Sequence, residues 1–359
     1  MKIEGSIVTP QPLRPRSRER WALIAMSLVL VAVFVLSIAL GSVSIPLHQV
    51  VAALMGENST TPVDSIIINV RLPRSLTALL AGAALGIAGL QMQTLFRNPL
   101  ADPFALGIAS GASLGVALVL LTAGATVSGF LGSSLGLAGD ALVTVASIAG
   151  AALALCIVLG LSRRVENPAT VLILGLMFGY AVSAFVTVLV AGADPNQLQR
   201  WIAWGFGSFS DVTWQKLTIF APLVAAGLAV AAATTKQLNV LLLGEDYARS
   251  MGLNVKRMRL VTLAGASILG GVVTAFCGPI AFLGVAIPHM CRAILATADH
   301  RVLVPATVLM GGIVALVAQI ASLLPGNSGV LPLNAVTALI GAPVVVMVLM
   351  GYRRGVFSG

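Results

Sequence analysis

Few side chains in this 359-residue sequence are of a type that does covalent or metal chemistry, and they are not grouped for it. The three histidines and three cysteines are scattered, with no CxxC pair and no histidine at ligand spacing from a cysteine. None of the four lysines ends a GxxxxGK[ST] loop, which excludes ATP hydrolysis through a P-loop. The sequence therefore predicts a protein that is not an enzyme, with no catalytic residue, no metal site and no cofactor.

The sequence does offer charged side chains for recognition of a partner protein. The clearest candidate for this role is the segment 236–259. The run 244–253 holds two acidic residues and Arg249, and it predicts a short helix closed by Gly252. A compact charged helix between apolar runs is a candidate docking element for a soluble partner, and a solvated loop is the alternative.

Composition indicates which structural elements surround this segment. Hydrophobic residues make up 58% of the chain and charged residues only 9%, with a mean hydropathy of +1.01. Soluble proteins carry about 25% charged residues, whereas an uncharged run of about 20 residues matches the thickness of a bilayer. The clearest spans are 21–41, 75–95, 141–162, 168–193 and 217–235.

The remaining apolar runs are less regular. The range 103–139 predicts one span followed by an irregular outer segment, and 260–291 predicts a span, a Gly-Pro turn and a short returning helix. With 302–324 and 331–350, the sequence predicts an all-α polytopic membrane protein of about ten transmembrane helices.

Charge sets the orientation. The net charge of +9 comes from basic residues between apolar runs, which favours the lipid bilayer over nucleic acid as the partner. With a cytoplasmic N-terminus, 17 of the 21 basic residues fall on inner segments, and outside remain only Arg71, Arg74, Arg200 and Lys216. We therefore expect both termini in the cytoplasm, with an N-terminal tail 1–20, a ten-helix domain 21–353 and a C-terminal tail 354–359.

The positions of the acidic residues bear on the energy source for transport. Ion-coupled carriers usually hold a carboxylate within the membrane, but here Asp140 lies at a span boundary and the other acidic residues fall in loops. This pattern favours a translocation pathway driven by a separate subunit. An ion-coupled secondary transporter and a structural subunit of a membrane complex stay open as alternatives.

The charged segment also resembles a known family. Gly244-Glu245 followed by Ala248 and Met251-Gly252-Leu253 is similar to the coupling segment of FecCD-type permeases, from the type II ABC importers of iron-siderophores, haem and cobalamin. Six further matches follow in one order along the chain. They are Arg71 to Arg74, Asn98 to Pro103, Trp201 to Gly207, Phe282 to His289, Asp299 to Arg301 and Leu339 to Pro343.

The resemblance implies an assembly. Such permeases span the bacterial plasma (inner) membrane ten times, pair with a second copy or a paralogue around a central pathway, and bind two copies of a cytoplasmic ATP-binding subunit. A periplasmic or lipid-anchored substrate-binding protein delivers the cargo. Ferric siderophore is the expected substrate because it is the commonest cargo of the family, with haem and cobalamin next, and a homodimer is expected.

The resemblance also implies site residues. The ATPase-coupling residues would be Gly244, Glu245, Ala248, Arg249, Met251 and Gly252. Arg71 and Arg74 would pair with glutamates of the binding protein, although they could instead anchor a helix end.

Two further groups of candidate site residues rest on less specific sequence patterns. Asn98, Pro99 and Leu100 match an inner gate, with Asn167 in a second gate loop, although Asn-Pro is also an ordinary turn. Arg200, Trp201 and Trp204 could face the substrate pathway, and an interfacial belt is the alternative.

Overall fold

The computed structural model of the chain describes residues 16–41, 44–56, 62–122, 135–165, 167–323 and 331–353. These residues form helices and connecting loops, without a β-strand among them. In chain order the α-helices are α1 (Arg16–Ala39), α2 (Leu47–Met55), α3 (Pro62–Ile66), α4 (Leu72–Phe96), α5 (Ile108–Ala117), α6 (Leu135–Arg164), α7 (Pro168–Ala191), α8 (Pro195–Gly205), α9 (Trp214–Ala233), α10 (Thr235–Leu242), α11 (Glu245–Ser250), α12 (Val255–Cys277), α13 (Leu283–Leu295), α14 (His300–Ser322) and α15 (Leu333–Arg353).

Short helical turns of other types extend two of these helices. The π-helical stretch Ile67–Arg71 joins α3 to α4, so that the chain is helical from Pro62 to Phe96. A 3-10 turn, Pro103–Leu106, precedes α5, and a second π-helical stretch, Leu118–Thr122, follows it.

Seven helices of the described chain are long and apolar enough to cross a membrane, and three shorter apolar helices accompany them. The three are Ile108–Leu121, Leu283–Leu295 and Leu333–Met347. The first two occupy the irregular runs 103–139 and 260–291, and the third occupies the predicted span 331–350. The all-α polytopic architecture is therefore confirmed. The number of crossings and the side of the termini stay predictions.

Some boundaries differ from the predicted ones. Helix α1 begins at Arg16, inside the predicted tail 1–20, because Glu19 and its basic neighbours continue the helical turn before the apolar run. Residues 1–15 of that tail and the predicted C-terminal tail 354–359 lie outside the described residues.

Helix α4 is the centre of the bundle. Of its most apolar window 83% is buried, against 22% for α1 and α6. It packs against α9, α12, α13 and α14, whereas the apolar faces of α1 and α6 remain available to lipid. Helix α4, which leads into the candidate gate loop at Asn98, is thus packed against protein on several sides.

Small residues permit this close packing. A Cβ atom on Gly82 of α4 would overlap the carbonyl group of Gly311 on α14, and one on Gly111 of α5 would overlap Ala154 and Gly150 of α6. Glycine at these contacts therefore allows the helix backbones to approach closely.

Candidate functional sites

The segment 236–259 forms a compact helical element beside the bundle. Helix α10 leads through Gly244, with φ of 121°, into the six-residue α11. Gly252 has φ of 82° and donates its N–H to the Arg249 carbonyl at 3.0 Å, and the Leu253 N–H reaches the Ala248 carbonyl at 3.0 Å. The predicted short helix closed by Gly252 is confirmed.

An ion pair fixes the start of α11. Glu245 Oε1 lies 2.9 Å from Arg259 Nη2 on α12, and the side chain of Arg259 is only 5% exposed. A second guanidinium nitrogen of Arg259 donates to the Val165 carbonyl at 3.2 Å. Glu245 also contacts Arg249 at 3.3 Å, but that i,i+4 pair lies at the surface and contributes little. Glu245 therefore holds the element in place.

The two faces of α11 differ. Ala248 is fully buried in an apolar cluster with Leu238, Leu241, Val255 and Met258. Tyr247 and Met251 point outward, 54% and 57% exposed, together with Arg249. The predicted coupling residues thus divide into a supporting set and an outward set. Tyr247 was missed, although its spacing of four residues from Met251 would have placed it on the same helix face.

The end of α4 contacts this element. Arg97 adopts a left-handed conformation, with φ of 46°, and donates from Nη2 to the Leu241 carbonyl at 3.1 Å. A Cβ atom on Gly244 would lie 3.1 Å from the same guanidinium nitrogen. Arg97 therefore joins α4 to the coupling segment, a contact between residues 144 apart in sequence.

The candidate gate loop follows Arg97 directly. Asn98 Oδ1 accepts the Leu100 N–H at 2.9 Å, which closes an Asx turn and leaves Leu100 41% exposed. The Pro99 carbonyl lies 2.7 Å from His289 Nε2 on α13. The second candidate gate residue, Asn167, caps α7 by accepting the Ala169 N–H at 2.9 Å. These contacts are those of ordinary turns and caps, and the gating role stays a prediction.

Two acidic side chains differ from the prediction that acidic residues fall in loops or that loop positions expose them: Asp64 lies in helix α3 and is 5% exposed, and Asp102 lies in a loop but is desolvated. Asp102 follows the gate loop, and its carboxylate accepts the Phe104 N–H at 2.7 Å. It also faces Gly284 on α13, where a Cβ atom would lie 3.2 Å from Oδ2. Burial raises the pKa of Asp102 to about 6, and the Phe104 hydrogen bond opposes part of that rise. Position in a loop did not reveal this burial.

At the end of the bundle predicted to face outside, the two candidate docking arginines have different surroundings. Arg71 donates to the Ile38 and Ala39 carbonyls at 2.7 and 2.9 Å, which secures the C-terminus of α1. Arg74 lines a cavity of about 170 Å³ together with Ser208, Gln319 and Ser322. Both are half-buried. Anchoring a helix end is thus one role of Arg71, and docking stays a prediction for both.

The three residues proposed for the substrate pathway are dispersed on the amphipathic helix α8. Arg200 is exposed. Trp201 packs against the cluster formed by Ala117, Leu121, Val182 and Val186. Trp204 is half-buried, with its carbonyl against Gly278. Trp201 is therefore a packing residue, and Arg200 is the side chain of the three most available to a ligand.

Asn334 organises the same end, and the sequence did not single it out. Its amide donates to the Gly205 carbonyl at 2.9 Å and accepts the Ala281 N–H at 2.9 Å. Its own N–H reaches the Phe206 carbonyl at 3.0 Å. One side chain thereby joins α8, the 278–282 loop and α15.

The described residues thus form an all-helical bundle with helices long enough to cross a membrane and a charged helical element at one end, the architecture of a polytopic membrane protein. The sequence model of the FecCD transport family matches residues 29–351, and the chain belongs to this family.

Individual proteins are similar over nearly the whole chain. The vitamin B12 import system permease protein BtuC of Klebsiella pneumoniae is 34% identical over 349 residues, which cover 97% of this chain and 98% of that protein. The ABC transporter permease protein YvrB of Bacillus subtilis is 34% identical over 89% of this chain and 91% of its own length.

A solved structure is also similar. It is described as an inward-facing conformation of a metal-chelate type ABC transporter, and it matches with a TM-score of 0.78 at 28% identity. The match covers 92% of this chain and 99% of that one. The protein is therefore an ABC importer permease, a transport subunit without catalytic activity of its own.

Proposed function

We propose that this permease moves a chelated metal complex into the cell, driven by ATP hydrolysis on two copies of a separate cytoplasmic subunit. A second permease copy completes the pathway, and a periplasmic or lipid-anchored binding protein supplies the cargo. The bacterial inner membrane is the proposed location.

The geometry of α11 carries this proposal. The helix presents Tyr247, Arg249 and Met251 outward, while the Glu245–Arg259 pair and buried Ala248 hold it against the bundle. A short helix seated in the cleft of an ATPase subunit passes on a rigid-body shift, because packed interfaces repack in discrete steps. We therefore assign ATPase coupling to residues 244–252, and gating to Asn98, Pro99, Leu100 and Asn167.

Substrate identity rests on less direct grounds. Ferric siderophore is our first candidate, and exposed Arg200 is available to an anionic ferric chelate. Cobalamin is the second candidate, because the BtuC proteins are named for vitamin B12 import. At 34% identity the pocket residues of two family members are free to differ, so both candidates enter the same test.

The test is uptake by proteoliposomes that contain the permease, its ATPase subunit and its binding protein. Ferric siderophores, haem and cobalamin are compared with ATP inside, and again with a proton gradient instead of ATP. We expect one of these cargoes to accumulate with ATP and to survive an uncoupler. Accumulation that needs the proton gradient while ATP is constant would contradict the proposal.

A further inference from the structure

A chain of polar side chains crosses three helices near the coupling segment. His300 on α14 is 1% exposed, and its Nδ1 lies 2.8 Å from Asn239 Oδ1 on α10. Its Nε2 lies 2.8 Å from Thr94 Oγ1 on α4. Asn239 Nδ2 in turn donates to Asp299 Oδ1 at 2.6 Å. None of these contacts belongs to the sites described above.

The hydrogen bonds have one consistent direction. The Asp299 carboxylate only accepts, so it must face the Asn239 amide nitrogen and turn Oδ1 towards His300. The His300 main-chain N–H confirms this orientation by donating to the same Oδ1 at 2.8 Å. His300 Nδ1 therefore carries the proton in this bond. In a neutral ring Nε2 is then the acceptor for the Thr94 hydroxyl, which also lies 2.8 Å from the Leu90 carbonyl.

The hydrogen-bonded side chains of Asn239, His300 and Thr94, here called the relay, connect the coupling segment to the gate loop. Asn239 lies on α10, directly before α11, and Thr94 lies one turn before Asn98 on the helix that leads into the gate. Arg97 donates to the Leu241 carbonyl and so forms a second contact between α4 and α10. Between Thr94 and Asn98 there is only the last turn of α4, so a shift of α10 displaces the base of the gate loop.

Burial alone does not require such a relay. Thr77 on the same helix is fully buried and donates to the carbonyl four residues before it, Pro73, at 2.8 Å. Thr94 Oγ1 lies at the same distance from the Leu90 carbonyl, but its single hydroxyl proton is directed to His300 Nε2 on another helix. A buried threonine in α4 is thus satisfied locally, and the contact with His300 serves a link between helices.

We propose that Asn239, His300 and Thr94 are positioning residues that make the coupling helix and the inner gate loop move as one body. The proposal rests on the ATP-driven import proposed above for this chain. Without the relay, α11 still binds the ATPase subunit, but the gate loop no longer follows the movement of α11. Hydrolysis then continues with less transport per ATP.

The first experiment uses the permease alone in lipid nanodiscs, so that it does not depend on any partner or cargo. Nitroxide labels replace Tyr247 and Leu100, both exposed, in a Cys156→Ser background, and pulsed electron paramagnetic resonance gives the distance distribution. Thr94→Val removes the hydroxyl at nearly constant volume, Thr94→Ser keeps it, and Thr77→Val is the matched control. We expect Thr94→Val to broaden the distribution about twofold, since losing one buried hydrogen bond shifts a local equilibrium about fivefold or more. Equal widths in Thr94→Val and Thr77→Val would overturn the link.

The second experiment measures uptake per ATP hydrolysed in the reconstituted complex, with cyanocobalamin and a ferric hydroxamate siderophore as probes. We expect Thr94→Val to bind the ATPase normally, to hydrolyse ATP and to transport about fivefold less per ATP, with Thr94→Ser close to wild type. Wild-type uptake with full coupling in Thr94→Val would overturn the transmission role and leave the import function standing. A wild-type complex without ATP-dependent uptake of either probe or of haem would overturn the transmission role together with that function.

Discussion

The two ends of the bundle differ in the side chains that join their helices. At the predicted outer end, Asn334 and Arg71 bind main-chain groups of neighbouring segments, and a cavity of about 170 Å³ is lined by Arg74 and Leu333. At the predicted inner end Arg97 also binds a main-chain carbonyl, but the Glu245–Arg259 ion pair and the buried His300–Thr94 pair join helices there as well. Such paired side chains connect one moving element to another. The inner end is therefore where we expect single substitutions to separate binding from transport.

The largest effect is expected for Glu245→Arg at the inner end. The change leaves Arg259, which is 5% exposed, facing a second positive charge, and breaking a buried pair costs about 3–5 kcal/mol, less here because Glu245 is partly exposed. We expect α11 to detach and the ATPase subunit to be lost in pull-down, with the permease still in the membrane.

Asp246→Arg is the matched control for this change. Its side chain is 99% exposed and pairs with surface Arg249 at 3.3 Å, so reversal there alters the same surface charge without removing a buried support. If Glu245→Arg and Asp246→Arg weaken ATPase binding equally, surface charge and not the anchoring of α11 decides the association.

The second largest effect is expected for the outer arginines. The double reversal Arg71→Glu with Arg74→Glu replaces attraction by repulsion at the binding protein, and we expect almost no uptake at physiological salt. Arg74→Ala alone should weaken docking about two- to fivefold, as expected for one exposed pair of about 0.2–1 kcal/mol.

Arg71→Ala sharpens this prediction, because Arg71 also secures the end of α1. It should lower thermal stability in detergent, whereas Arg74→Ala should not. Reversed glutamates on the binding protein should restore part of the uptake of the Arg74→Glu variant. Normal membrane abundance with undiminished uptake in the double reversal would remove both arginines from the docking surface.

Asn334→Ala tests whether the outer end is held by main-chain contacts. The substitution leaves the Ala281 N–H and the Gly205 carbonyl without their partner, at a cost of about 1–3 kcal/mol for each group. We expect faster proteolysis near residues 205–208 and a lower melting temperature, with ATPase binding unchanged. Asn69→Ala, an exposed amide at the same end, is the control and should be neutral. An unchanged melting temperature in Asn334→Ala would show that packing alone holds α8.

Local signals in the sequence predicted much of this fold. Long uncharged runs placed the spans, because a bilayer admits few charges, and Gly252 marked the end of α11 because the turn needs a positive φ. The contacts that support the sites were not predictable in this way. Thr94 and His300 are 206 residues apart, and Asn239 and His300 are 61 apart. Nothing in their local spacing indicates that the fold brings them together.

The same limit explains Asp102 and Arg97. Arg97 follows directly after α4 and Asp102 lies further along the same loop, positions that are typical of exposed residues. The loop instead folds against α13, which buries Asp102 beside Gly284, and the left-handed turn at Arg97 aims its guanidinium at α10. Burial in these cases results from packing of whole helices, which the identity of one residue does not encode.

The smallest effect is expected for Gly252→Val, and it compares the two ends directly. Gly252 and Gly56 have nearly the same positive φ, 82° and 78°, and a Cβ atom at either position would meet no other atom within 4 Å. Valine therefore adds only backbone strain, about 1–2 kcal/mol at each site. We expect Gly252→Val and Gly56→Val to lower the melting temperature equally, because the strain is the same. Only Gly252→Val should weaken ATPase binding in a pull-down, since it loosens the turn that seats Met251, whereas Gly56 ends α2 at the other end of the bundle. Equal loss of ATPase binding in the two variants would mean that strain anywhere in the bundle reaches the coupling segment, and the two ends would then not be mechanically distinct.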